Sequence, residues 1–349
     1  MTNTKTNSNR IKWVDMAKGI AMLMVIAGHT IGYPGTTLDQ KIIRGMIYSF
    51  HIPMFFILSG YTSRCSDSGE KLLAGLKKSA KRLLLPAYVL WLVVVLFSGA
   101  TSKFNYSPVQ LGLSALYASA IEYEVNNITI PLFGYIWFLV SLFVIKNLYD
   151  IINYIFKGRF MTLVSAAVSA AGVFVGKNLF LPFVIDIAMA SMIFYHIGHL
   201  LKKRELVFSA KKFGASLLIW LGIFFFDYFV FNSYLDLASR CHSILPISYI
   251  AAIAGSLTFM YICMYWCEHG GRVSKFFTGQ LYFIGYNSMI LYAIHYLDTI
   301  WFSEVLTSVG NEYLQLLIRL IEDVGLFYIF FYLQNKFRER KKKPESDSA

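Results

Sequence analysis

The chain has 349 residues, of which 56% are hydrophobic and only 15% are charged. An average soluble domain carries about 25% charged residues, and a soluble fold this apolar would expose large apolar patches. The composition therefore excludes an ordinary soluble enzyme, a disordered protein and a disulfide-rich scaffold. The net charge of +12 would suggest a nucleic-acid partner for a soluble protein, but in a membrane protein the positions of the cations matter more.

Apolar segments of membrane-spanning length recur along the chain and predict an all-α polytopic membrane bundle. We expect about ten transmembrane helices, interrupted in places by single polar residues. The predicted ranges are 13–32, 42–63, 83–100, 133–154, 160–176, 179–201, 213–232, 245–266, 278–300 and 313–335.

The distribution of Lys and Arg orients these helices. With the N-terminus placed inside, 24 of the 32 Lys and Arg residues fall in six inside segments and 4 fall in outside loops. This asymmetry predicts that both termini are cytoplasmic, and it assigns the basic excess to membrane topology rather than to nucleic acid. We expect a cytoplasmic tail at 1–12, a transmembrane domain at 13–335 and a basic cytoplasmic tail at 336–349. The longest outside loop, about 101–132, is expected to hold a short interfacial helix and an ordered turn.

The first predicted helix carries three ionisable groups, which are costly inside a membrane and mark candidate functional sites. Asp15, Lys18 and His29 share one face at 100° per residue, and Lys18 lies about 16 Å from His29 along the axis. In the functional interpretation, Lys18 attracts an anionic ligand and His29 carries out proton chemistry. In the structural interpretation, Asp15 and Lys18 form an interfacial pair and His29 is a packing residue.

Two further stretches suggest a cavity and an anion site. Pro53 interrupts the second helix, and irregular backbone at membrane depth usually lines a cavity. The basic stretch LKKSAKRLLLPAY suits a phosphate-rich ligand, although membrane topology and lipid phosphates are the better explanation of these cations when the stretch is taken alone. The candidate substrate-binding or cavity-lining residues are Arg44, His51, Ser59, Tyr61, Trp137, Asn287 and His295.

Other polar groups favour structural roles. His196 and His199 are spaced as metal ligands are, but they lack acidic partners nearby in the sequence, so we expect no metal site. Arg319, Glu322 and Asp323 lie at helical spacing and are interpreted as a self-neutralising structural network.

Several motifs together resemble a known family. WVDMAKGIAMLMVIAGHT, FHIPMFFILSGY and KRLLLPAY are similar to motifs of the acyltransferase-3 family of integral membrane acyltransferases, and the first two most resemble its fucose 4-O-acetylase-like branch. The resemblance implies transfer of an acetyl or other acyl group from cytoplasmic acetyl-CoA to a hydroxyl of an envelope glycan or lipid-linked sugar. It also implies a multi-pass protein of the bacterial plasma membrane, surrounded by membrane lipids and without a metal cofactor.

The resemblance also assigns roles to residues. Lys18 and His29 match the basic residue and the histidine of the family's first helix, so His29 becomes the general base and Asp15 a second catalytic candidate. Lys18, Lys78, Lys81 and Arg82 are the expected acyl-CoA-binding residues. Lys78 and Lys81 match the family's Arg-x-x-Arg spacing, whereas aligning Arg82 places a serine first. The alternatives from other classes are a transporter or flippase for a polar or glycolipid substrate, and a non-catalytic scaffold or sensor.

Overall fold

The computed structural model of the chain describes residues 10–31, 37–101, 106–125, 127–301 and 308–340. Over these ranges the fold is all-α, as predicted, with one short hairpin. The helices are α1 (Lys12–Gly28), α2 (Leu38–Tyr48), α3 (His51–Tyr61), α4 (Gly69–Ser79), α5 (Leu85–Ala100), α6 (Pro108–Tyr117), α7 (Trp137–Phe156), α8 (Met161–Asn178), α9 (Ile185–Ala190), α10 (Met192–Lys203), α11 (Ala210–Phe231), α12 (Ile247–His269), α13 (Arg272–Tyr286), α14 (Ser288–Leu297) and α15 (Glu312–Arg340). A π-helical turn (Ala80–Leu84) joins α4 to α5, and 3₁₀ turns lie at Pro182–Val184 and Asp298–Ile300.

Judged by length and composition, fewer helices qualify as membrane spans than the predicted ten. Within the described ranges, six helical segments are long and apolar enough to cross a membrane, and a seventh is added if the pair bent by 56° around Ser191 is one span. Each predicted segment is largely helical, but the count of ten is not confirmed. α1 has 17 residues, Asn287 separates α13 from α14, and α15 carries several charged side chains.

The outside segment predicted at 101–132 contains the expected helix and a hairpin. Ser107 caps α6 through a reciprocal hydrogen-bond pair with Gln110, which is a strong local signal for a helix start. The turn is more ordered than expected, because β1 (Tyr123–Val125) pairs antiparallel with β2 (Ile128–Ile130). Residues 102–105 and 126 lie outside the described ranges, as do 1–9 and 341–349 of the predicted tails.

A π-helical turn shapes the basic stretch ahead of α5. Within it, the backbone N–H of Leu85 bonds to the carbonyl of Ala80, one residue further back than in an α-helix. Pro86 follows and has no N–H to donate to the carbonyl of Arg82, so the regular helical ladder cannot continue there. The wider turn rotates the side chains of Lys81 and Arg82 relative to those of α4, and turns of this kind frequently occur at functional sites.

Glycines allow α3 and α10 to touch through their backbones. A Cβ added at Gly60 of α3 would lie 1.9 Å from the carbonyl oxygen of Tyr195, and one added at Gly198 of α10 would lie 1.9 Å from that of Ile57. This close approach requires glycine at both positions, since no larger side chain fits between the two backbones.

We predict that Gly60→Ala destabilises the bundle by about 1–3 kcal/mol or more, because the new methyl group must push α3 away from α10. A thermal unfolding midpoint measured in detergent checks this. Gly222→Ala on α11 is the matched control, since nothing lies within 4 Å of its added Cβ. Equal unfolding midpoints for the two variants would contradict the packing described here.

Candidate functional site

One cavity of about 890 Å³ extends along α1 among the described residues. Lys18 and His29 both line it, and their separation along the helix is about 16 Å. The structure thus brings to one cavity many of the residues singled out from the sequence. Those residues are Asp15, Lys18, His29, Arg44, His51, Ser59, Tyr61, Lys78, Arg82 and Trp137.

Three predicted site residues do not line this cavity. Lys81 is exposed on the π-helical turn, while its neighbour Arg82 faces the cavity. Asn287 lies between α13 and α14 and donates a hydrogen bond to the carbonyl of Phe283 at 3.0 Å. His295 is fully buried behind the lining, where it contacts His29.

The Lys18 end of the cavity is strongly cationic. Sequence reasoning missed Lys146 of α7 and Lys202 of α10, because they reach the cavity from helices distant in the sequence. Asp150, an acid in the same wall, is occupied by the backbone N–H and the hydroxyl of Ser66, each at 2.7 Å. The cations that line the whole cavity are Arg10, Lys18, Arg44, Arg64, Lys78, Arg82, Lys146 and Lys202, against the carboxylates of Asp15, Asp150 and Asp236.

Asp15 belongs to this cationic end rather than to the histidine. The Lys18 Nζ donates to Asp15 Oδ1 at 3.2 Å, and Arg10 Nη1 lies 3.5 Å from Asp15 Oδ2. Asp15 and His29 are fourteen positions apart, which is about 21 Å along the axis of α1. The geometry therefore indicates that Asp15 positions the side chain of Lys18. A catalytic role for Asp15 stays a prediction.

At the other end of the cavity, His29 begins a chain of hydrogen bonds that runs into the protein interior. His29 Nδ1 and His295 Nε2 are joined at 3.0 Å, and His295 Nδ1 lies 2.8 Å from Asp323 Oδ2. The ring of Tyr135 stacks on His29 with centroids 3.7 Å apart and an angle of 14° between the planes. His29 therefore has a fixed ring orientation at the wall of the cavity.

This chain sets the protonation pattern of the two histidines. An ionised Asp323 only accepts hydrogen bonds, so His295 donates from Nδ1 and presents Nε2 as an acceptor. His29 must then carry its proton on Nδ1, which leaves Nε2 as its basic nitrogen. The arrangement resembles the histidine and carboxylate pair of a catalytic triad, with one additional imidazole inserted.

A buried ion pair supports this chain from the side. Arg319 donates to both carboxylate oxygens of Asp298, at 2.7 and 2.8 Å, and also to the backbone carbonyl of His29 at 3.1 Å. The predicted network along α15 is thus corrected, because Arg319 pairs with Asp298, Asp323 serves His295, and Glu322 accepts from the indole of Trp301. These partners come from α14, from the 3₁₀ turn and from Trp301 directly after it, and helical spacing within α15 does not reveal them.

His295, Asp298 and Asp323 also satisfy the spacing of a metal site, since their ligand atoms lie within 4.8 Å of one another. Both oxygens of Asp298, however, already accept from Arg319, whose positive charge repels a metal cation. We therefore interpret the group as an ion-pair network, and the absence of a metal stays a prediction.

His196 has the contacts of a packing residue. Its Nδ1 lies 2.9 Å from the hydroxyl of Tyr149, and its Nε2 lies 2.9 Å from that of Thr162. With both ring nitrogens hydrogen-bonded to protein hydroxyls, no nitrogen of His196 is left for a metal ion.

We predict that Arg319→Gln destabilises the protein by about 3–5 kcal/mol, because it leaves the buried carboxylate of Asp298 without its cation. Adding Asp298→Asn to this variant is expected to restore part of the loss, as measured by thermal unfolding in detergent. Lys71→Gln breaks the exposed pair with Asp67 and should leave the unfolding midpoint unchanged. A double variant no more stable than Arg319→Gln alone would refute the coupling.

Comparison with known proteins agrees with this architecture. The sequence profile of an acyltransferase domain matches residues 11–333. Nodulation protein NolL of Mesorhizobium japonicum is 36% identical over 83 residues, which are 23% of this chain and 22% of the length of NolL. No solved structure matches the chain. Because the domain match spans nearly the whole sequence, the chain belongs to the acyltransferase-3 family of membrane acyltransferases.

Proposed function

We propose that this protein transfers an acetyl or other acyl group from acyl-CoA to a hydroxyl of a carbohydrate, with His29 as the general base. The observation that carries the proposal is that one continuous cavity has a cationic end and, at its other end, a hydrogen-bonded histidine. The family match supports acyl transfer in a membrane. The donor, the acceptor and the base are the parts proposed here.

The cationic end suits the phosphates of a coenzyme A donor. Lys78 at the end of α4 and Arg82 on the π-helical turn line this end, and Lys146 faces the same space from α7. Arginine and lysine bind phosphate through charge-assisted hydrogen bonds, which are about twice as strong as neutral ones. Apolar side chains such as Met22 and Val25 line the path between the two ends, where an extended thioester arm fits.

The histidine end suits proton transfer from the acceptor. The hydroxyl proton passes to His29 Nε2 as the sugar oxygen attacks the thioester carbonyl carbon. The carbon–sulfur bond then breaks, and the proton returns from His29 to the departing thiolate, so the histidine ends the cycle neutral. During the step, the His295–Asp323 pair stabilises the positive imidazole of His29 through the bond at Nδ1.

The finer assignments are part of the same proposal. The resemblance of the first two motifs supports the fucose 4-O-acetylase-like branch and an envelope glycan or lipid-linked sugar as acceptor. The excess of cations in alternate loops supports a plasma-membrane protein with both termini and the donor site on the cytoplasmic side. The alternative of a transporter or flippase gains no support from the family match.

We predict that His29→Gln lowers acyl transfer by about 10²–10⁴-fold, because the side chain can no longer accept the hydroxyl proton. The measurement is the O-acetyl content of envelope carbohydrate, by NMR, in a strain deleted for the protein and complemented with each variant. His269→Gln is the control, since this histidine is exposed at the end of α12 and outside the cavity. Full acetylation by His29→Gln at equal protein abundance would refute the base assignment.

We predict that Arg82→Gln weakens binding of coenzyme A by about tenfold or more, as expected for one lost hydrogen bond to a charged group. Calorimetry on the full-length protein in lipid nanodiscs measures this affinity. Lys77→Gln removes an exposed cation from the same stretch that does not line the cavity, and should bind as the original protein does. Equal losses in both variants would show a diffuse electrostatic effect instead of a site.

A further inference from the structure

The segment between α11 and α12, residues 232–246, contributes to the wall of the cavity. We call it the α11–α12 connector. Asp236, Ala238 and Ser239 of this connector line the same cavity as His29. Neither the motifs nor the family match assigns a role to these residues. A connector that only crossed the lipid or solvent surface would not place a carboxylate in the cavity that contains the proposed base.

The connector is held firmly in place. Arg240 donates to both oxygens of the buried carboxylate of Asp186, at 2.6 and 3.4 Å, and its guanidinium lies 3.9 Å from the ring centre of Phe180. Asp236 and Cys241 exchange two backbone hydrogen bonds of 2.8 and 2.9 Å. These contacts fix the backbone position of Asp236, so the carboxylate is presented at a defined place.

The surrounding groups form a path from the connector to His29. The ring centres of His29 and Tyr48 are 6.5 Å apart, and those of Tyr48 and Tyr234 are 6.3 Å apart. Arg44 lies over the ring of Tyr48, with its guanidinium carbon 4.6 Å from the ring centre. Arg44 and Asp236 both line the cavity and carry opposite charges. Two ring-to-ring steps thus separate the proposed base from the connector.

The carboxylate of Asp236 can accept further hydrogen bonds, because its two oxygens offer about four lone-pair sites. Its Oδ1 accepts from the backbone N–H of Ala238 at 3.0 Å. Burial raises the pKa of its carboxyl above the ordinary value, and the hydrogen bonds from Ala238 and Ser239 only partly offset this. Hydroxyl groups that donate to the carboxylate would therefore stabilise it in place.

We propose that Arg44, Tyr48, Asp236 and Ser239 form the acceptor-binding subsite, which recognises a neutral sugar through hydroxyls other than the one that is acylated. This inference rests on the proposed function and names the class of acceptor. The carboxylate accepts from sugar hydroxyls, the guanidinium donates to them, and the aromatic ring packs on the sugar's C–H face. A sugar acid is disfavoured, because its carboxylate would meet that of Asp236 in a partly buried site.

The experiment measures sugar binding directly, without relying on catalysis. Saturation-transfer NMR on the full-length protein in nanodiscs tests methyl glucoside, methyl galactoside and methyl fucoside as neutral probes, and methyl glucuronide as the anionic one. We expect at least one neutral glycoside to bind, and Asp236→Asn to weaken that binding about tenfold or more. Glu124→Gln, an exposed acid on β1, is the matched control and should bind as the original protein does.

Two further measurements keep the outcomes separate. Coenzyme A affinity of Asp236→Asn should be unchanged, which shows that the variant is folded. If it is not, the exposed Ser239→Ala replaces it and should weaken glycoside binding severalfold. No binding of any neutral glycoside, unchanged binding in the variants, or tighter binding of the glucuronide would each overturn the inference. If the original protein binds a neutral glycoside but does not bind coenzyme A, the proposed donor is refuted and the acceptor subsite is not.

Discussion

The buried ion pair between Arg319 and Asp298 is the interaction on which the geometry of the histidine end depends. It connects α15 to the turn that follows α14, and the same guanidinium holds the carbonyl of His29 where α1 ends. Charged groups at this depth are costly unless they are paired and face the bundle interior. The pair therefore fixes three segments relative to one another, and the contact of His29 with His295 follows from that arrangement.

The cavity separates two kinds of chemistry by the length of one helix. Cations suited to a polyanion surround one end, and the other end contains a histidine whose partners are an imidazole and a carboxylate. Crowding the cations around the histidine would oppose its protonation, because like charges raise the energy of the imidazolium. A spacing of about 16 Å between Lys18 and His29 weakens that repulsion and leaves room between them for an extended ligand.

The sequence predicted what depends on periodicity within one helix. The shared face of Asp15, Lys18 and His29 follows from helical spacing, and the structure places all three on the cavity. Partners on distant elements were not predictable in the same way. His295 lies 266 residues from His29, and the pairing of the two depends on how α14 packs.

Local backbone geometry explains further differences. The choice between Lys81 and Arg82 was open in the sequence, and the π-helical turn places Arg82 at the cavity. Asp236 had no sequence signal, because its position depends on an irregular connector held by the distant Asp186. The count of spans also exceeded what length and composition support, since three of the expected segments are short, broken or rich in charge.

The backbone contact between α3 and α10 makes one wall of the cavity more rigid than another. Two peptide backbones in direct contact cannot move closer and lose their packing when they separate, so this wall behaves as a rigid unit. Another wall includes Arg82 and Leu83 of the π-helical turn. The helix that continues from this turn, α5, leaves Val89, Leu92 and Leu96 exposed. We therefore expect any widening of the cavity to occur at the turn that carries Arg82, where the neighbouring helix packs less tightly, and not between α3 and α10.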